Sequence, residues 1–134
     1  MSNQLVSKAL STHLNTLPSK PPIAWENASY TPVTGTLYLK ENTLFASDDA
    51  FTLADGDSVM KQGIYQVTVI APASTTKFKA MDMTDKISEH FARGTVLVSG
   101  SISVRIKHPS VSPAINLDGW CAIPVSIPYT VMVK

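Results

Sequence analysis

The end of the chain constrains its fold more than any other part. Cys121, Ile123, Val125, Ile127, Tyr129, Val131 and Val133 occupy every odd position, so Trp120 to Val133 reads as one strand with an uninterrupted apolar face. Pro124 and Pro128 fall on the even face. Backbone N–H groups two or four residues apart point to the same side of a strand, so both prolines delete donors along one side. The expectation is a strand at a sheet edge, or bulged there. Exposed edges are blunted by proline or used for pairing with another chain.

The rest of the chain supplies elements to pack on that face. Leu5, Val6, Ala9, Leu10, Leu14 and Leu17 form one apolar stripe, predicting a helix over 3–17 that Ser2 or Asn3 caps and Pro18 ends. Tyr30 to Lys40 reads as a strand, with Leu37 and Leu39 on one side and Thr36, Tyr38 and Lys40 on the other. Tyr65, Val67 and Val69 alternate with polar residues in a strand from Ile64 to Ile70, which Pro72 stops. A second helix over 76–93 carries Ala80, Met83, Ile87 and Phe91 as its stripe, with Gly94 placed as a left-handed cap. Val96 to Lys107 reads as one strand with Val98, Ile102, Val104 and Ile106 on one face, followed by a turn region with Pro109 and Pro113. Strands joined by short connections predict an α+β domain over 1–134, an antiparallel sheet with both helices packed against it.

Residues 41–62 keep neither period. Glu41, Asp48, Asp49, Asp55 and Asp57 are opposed there by Lys61 alone, and the segment reads as a long acidic arm between two strands.

With 134 residues, 44% hydrophobic and 16% charged, the chain suits one ordinary globular core. A net charge of +1 and scattered Lys and Arg argue against phosphate neutralisation as its main work. No signal-peptide pattern opens the chain, and no apolar run approaches the roughly 20 residues of a membrane helix. Cys121 has no second cysteine to pair with, which suits a reducing compartment.

A catalytic set is missing from this reading. His13, His90 and His108 lie on different elements without metal-ligand spacing: His13 reads as half-buried packing, His90 as a helix C-terminal residue and His108 as exposed. Cys121 reads as a small buried hydrophobe. No nucleophile elbow or phosphate-cradling loop is present. Asp55 and Asp57 flank Gly56 much as in part of a calcium loop, but the glycine falls between the acids and no Glu closes the set. The bland reading is a solvated arm; the sharper one is a weak divalent-ion site shared between subunits. Trp25, Tyr30 and Trp120 serve either as interface anchors or as core packing at strand ends. No enzyme, cofactor or resident metal is expected.

The motif Pro21-Pro22-Ile23-Ala24-Trp25-Glu26-Asn27, followed by Tyr30-Thr31-Pro32, resembles a segment of the phage tail-terminator proteins of long-tailed siphophages. Gly63-Ile64-Tyr65-Gln66-Val67, His90-Phe91, Gly94 and Gly119-Trp120 fall in that family's order, so the likeness spans nearly the whole chain. Glu26 stands where the family often has proline, and the arm carries no matching motif. The resemblance implies a fold related to tail-tube proteins and a hexameric ring on the head-proximal end of the tail tube. Such a ring ends tube polymerisation and offers a surface for head–tail joining. The implied partners are further copies of itself, the tail-tube protein and the head connector or stopper, with DNA passing transiently through the lumen and no membrane. The implied location is the virion, reached from the host cytoplasm. A tail-tube subunit, a head-completion protein or a small binding module are the alternative readings. The expected interface residues are Trp25, Glu41, Asp48, Asp49, Phe51, Asp55, Asp57, Trp120, Pro124 and Pro128.

Overall fold

A computed structural model describes residues 3–18, 20–26, 30–31, 36–45, 51–52, 59–72, 77–100, 102–117 and 119–133. Two helices, α1 (Asn3–Asn15) and α2 (Lys77–His90), accompany one mixed sheet of nine strands. The strands are β1 (Ile23–Ala24), β2 (Tyr38–Phe45), β3 (Phe51–Thr52), β4 (Val59–Pro72), β5 (Val96–Ser99), β6 (Ile102–Ile106), β7 (Ser110–Val111), β8 (Ile115–Leu117) and β9 (Trp120–Val133). Their order is β1-β2-β4-β9-β6-β5, with β3 added to β4 and with β7 and β8 added to β9. All pairs are antiparallel except β1 with β2. The fold is α+β, as the sequence predicts.

Alternation decides which face is covered. Tyr65, Val67 and Val69 of β4 and Val125, Ile127, Tyr129 and Val131 of β9 are buried beneath the helices. Val6, Leu10 and Leu14 of α1, Ala80 and Ile87 of α2, and Phe91 just past its end close that core. Burying a side chain of this size is worth about 1.5–3 kcal/mol, so the two stripes hold the helices on the sheet.

Strand β9 is not an edge. It pairs β4 from Met60↔Met132 to Pro72↔Trp120, and on its other side it meets β6, β7 and β8 in turn. The prolines survive because that second side is interrupted. Lys107 N–H donates to the Pro128 carbonyl at 2.8 Å and Ser112 N–H to the Pro124 carbonyl at 2.9 Å. In an antiparallel strand a residue's N–H and C=O point the same way, so both missing donors face the breaks between β6, β7 and β8.

Three further expectations change. The strand expected from Tyr30 begins at Tyr38, since Tyr30, Thr31, Thr36 and Leu37 are irregular. Residues 96–107 are a hairpin rather than one strand, because Gly100, at φ 58, turns the chain between Ser99 and Ile102. Val98 is therefore 65% exposed instead of sharing the buried face of Ile102, Val104 and Ile106. The arm is shorter than 41–62: residues 41–45 pair with 63–67, and Val59 to Gln62 extend β4.

Candidate assembly surface

The two ends of the sheet are unlike. At one end β5 pairs β6 alone among the described residues, with Val96 51% and Val98 65% exposed. A groove of about 410 Å³ runs between β5 and one face of α1, lined by Lys8 and Thr12 of the helix and Thr16 just past its end. At the other end, among the described residues, β1 covers only Leu39 and Lys40 of β2, leaving Glu41 to Phe45 as the sheet's rim. That rim is partly blunted, because Glu26 Oε1 accepts from Thr43 N–H at 3.0 Å.

Glu41, expected on an exposed arm, is instead 6% exposed on the core side of β2. Its carboxylate accepts from Ser11 Oγ at 2.8 Å, from the Glu26 N–H at 3.3 Å and from the Tyr65 hydroxyl. Hydrogen bonds to a buried acid stand in for the water it has lost, so Glu41 ties α1, the β1 connection and β4 together. Burial first, and then the adjacent Glu41 charge, push the Tyr65 hydroxyl far above its ordinary pKa.

The aromatic residues divide. Trp25 packs half-buried against the core. Trp120 and Tyr38 meet edge-to-face at 5.7 Å on the sheet's other face, and Tyr30 tilts against Tyr38 at 4.9 Å. Pro124 and Pro128 are half-buried on the central strand, so they offer no pairing edge. Cys121 is partly buried against the core. Phe51 lies in β3, opposite Met60. Asp48, Asp49, Asp55 and Asp57, including the suggested divalent-ion pair, lie outside the described residues. Among the described residues no group of His, Cys, Asp or Glu is arranged to hold a metal.

Separate elements hid one contact from the sequence. His13 and His90 stack with centroids 4.1 Å apart, joining the C-terminal turns of α1 and α2. Both fall next to apolar-stripe residues, but nothing in their spacing shows that the helices end side by side.

Beyond α2 the chain turns at Gly94, whose φ of 91 matches the expected left-handed position. Its N–H donates to the Ile106 carbonyl at 2.9 Å instead of back into the helix. This turn and the end of β6 border a second groove, lined by Arg93, Gly94, Arg105, Ile106, Lys107 and His108.

A sequence model described as "Phage tail terminator protein" matches residues 5–129. The chain belongs to the phage tail terminator family. It is thus a structural component of the phage tail and the virion, and its family implies contact with other tail and head proteins. A solved structure superposes on this terminator with a TM-score of 0.79 at 25% identity, covering 98% of this chain and 96% of that one. A search of curated proteins finds no match. No helix among the described residues is long and apolar enough to cross a membrane.

Proposed function

We propose that copies of this terminator close into a hexameric ring on the head-proximal end of the tail tube. The ring ends tube polymerisation and presents the surface on which the head joins. Assembly takes place in the host cytoplasm, and the work is done by shape and hydrogen bonding, with no bond made or broken. The carrying observation is the unlikeness of the two sheet ends: an exposed β5 rim at one, the Glu41–Phe45 rim at the other. Unlike patches meeting head to tail give rings or filaments rather than closed dimers.

The acidic residues Asp48, Asp49, Asp55 and Asp57, with Phe51 of β3, supply contacts from the stretch of chain that joins β2 to β4. Stopping a tube requires a difference in affinity: one ring face matches the tube end, and the other offers a tube subunit nothing to pair with. Purified chain added to growing tubes is expected to halt elongation and to leave a ring at one end in negative-stain images. Tubes that lengthen by incorporating the chain would identify a tube subunit, and binding to heads alone would identify a head-completion protein. Either result would overturn the reading.

A further inference from the structure

The groove beside β6 gathers positive charge that no described residue neutralises. It measures about 540 Å³. Ile106 N–H donates to the Thr95 carbonyl at 2.8 Å, which together with the Gly94–Ile106 bond fixes its floor in backbone. Ile102, Val104 and Ile106 are buried, so the alternating Arg105 projects from the opposite face of β6, and exposed Lys107 follows just past the strand. Arg93, Arg105, Lys107 and His108 are all exposed. Among the described residues none of these four side chains has an ion-pair or hydrogen-bond partner; the ion pair on α2 joins Lys86 to Asp82 instead.

The chain carries the complementary charge elsewhere. Between residues 41 and 60 stand five acids and no Lys or Arg. Glu41 is consumed inside the fold, which leaves Asp48, Asp49, Asp55 and Asp57. Three permanent cations around one groove and four aspartates on one short segment are a matched pair of fields, the arrangement that steers association and fixes register.

We propose that this basic groove is the socket for the acidic 46–57 segment of a neighbouring copy. The inference rests on the ring reading above and supplies its receiving surface. Plug and socket are different patches, so each copy gives one and accepts one, which is the heterologous contact a ring needs. Duplex DNA is the competing polyanion. A net charge of +1 across the chain favours a short acidic segment over a long phosphate backbone.

Charge reversal in both directions tests this. One variant carries Arg93→Glu, Arg105→Glu and Lys107→Glu; the other carries Asp48→Lys, Asp49→Lys, Asp55→Lys and Asp57→Lys. Arg93, Arg105 and Lys107 are exposed, and near-UV circular dichroism checks the fold of both variants. Steering charges change association rates by about 10–10³-fold, so each variant alone should assemble at least tenfold more weakly by mass photometry at low salt. Mixed in equal amounts they should assemble again, since each now finds the opposite charge on the other. Three results overturn the socket: a variant that assembles like wild type; a mixture that stays apart while one chain carrying both sets assembles; or duplex binding, by fluorescence anisotropy, lost in the groove variant with assembly unchanged. A wild-type chain that stays monomeric alone and on tube ends overturns the ring reading itself, before any variant is made.

Discussion

His13 and His90 hold the two helices together by exchanging hydrogen bonds across a stacked pair of rings. His13 Nε2 donates to the His90 carbonyl at 2.7 Å, and His90 Nε2 donates to the His13 carbonyl at 2.6 Å. A carbonyl only accepts, so both rings carry their proton on Nε2. The Thr16 hydroxyl donates to the same His13 carbonyl at 2.6 Å and lies 3.0 Å from His90 Nε2. Phe91 meets the His13 ring edge-on at 4.8 Å.

That environment sets a pH dependence. Burial lowers the His13 pKa below 6.5; the bond to the His90 carbonyl opposes this, and the neighbouring His90 ring adds to it. Below 6.5 the unfolded chain therefore binds the proton that folded His13 resists. Stability from this group is complete above that value and is lost as pH falls towards the depressed folded pKa. Thermal unfolding followed by circular dichroism should give a lower Tm at about pH 5.5 than at about pH 7.5. His13→Gln should flatten that difference while lowering Tm at the higher pH. An unchanged slope would place the dependence in another group.

The Glu41 cluster predicts an unequal response to removing its donors. Tyr65 is 0% exposed and donates to the acid inside the core, whereas Ser11 is half-buried at the helix surface. Leaving a buried polar group without its partner costs about 1–3 kcal/mol. Tyr65→Phe should reach the upper part of that range and Ser11→Ala the lower, measured by urea denaturation. Equal losses would mean that water replaces both donors alike.

Sequence legibility follows the same physics. The helix stripes were plain because every stripe position faces one core. Residues 41–45 were not, because Glu41 and Thr43 point inward while Leu44 is 51% exposed, which inverts the usual pattern. Pro124 and Pro128 mark the side of β9 that lacks donors but carry no sign of the partner there. That partner comes in three pieces, and the breaks opposite the prolines fall at Lys107–Pro109 and Ser112–Ala114. Pro109 and Pro113 mark both breaks, so the signal existed as a pairing of two proline spacings. Of the assembly surface, the acids and the charge were visible. The gathering of Arg93 with Arg105 and Lys107 depends on a turn packing against a strand.

The broken partner makes a position-specific prediction. Pro128→Ala removes chain stiffness and adds a donor facing Lys107 at the break after β6, where Lys107 N–H already holds the residue 128 carbonyl, so its effect should stay within about 1 kcal/mol. Ser126 faces the same side yet pairs Ser110 in β7. Ser126→Pro should cost at least about 1–3 kcal/mol by deleting a used donor. Denaturation midpoints compare the two directly, and similar losses would show that strand β7 contributes no bond there.

Gly63 and Tyr129 give the sharpest test of packing. They pair directly across β4 and β9. A Cβ added at Gly63 would sit 2.6 Å from Tyr129 Cζ and 2.9 Å from the Leu44 carbonyl oxygen, with backbone on one side and a buried ring on the other. Neither neighbour is a flexible side-chain end, so Gly63→Ala should cost about 1–3 kcal/mol or more from overpacking. The Tyr129 hydroxyl is itself buried with no hydrogen-bond partner among the described residues, and burial pushes its pKa up to about 12. Tyr129→Phe removes that unpaired group while keeping the ring, so it should be neutral or stabilising by up to about 1 kcal/mol. In the Gly63→Ala background the same change removes one of the clashes and should recover part of the loss. The two effects share a contact, so they should fail to add. A double-mutant cycle in urea that sums without an interaction energy would place the Tyr129 ring elsewhere than over Gly63.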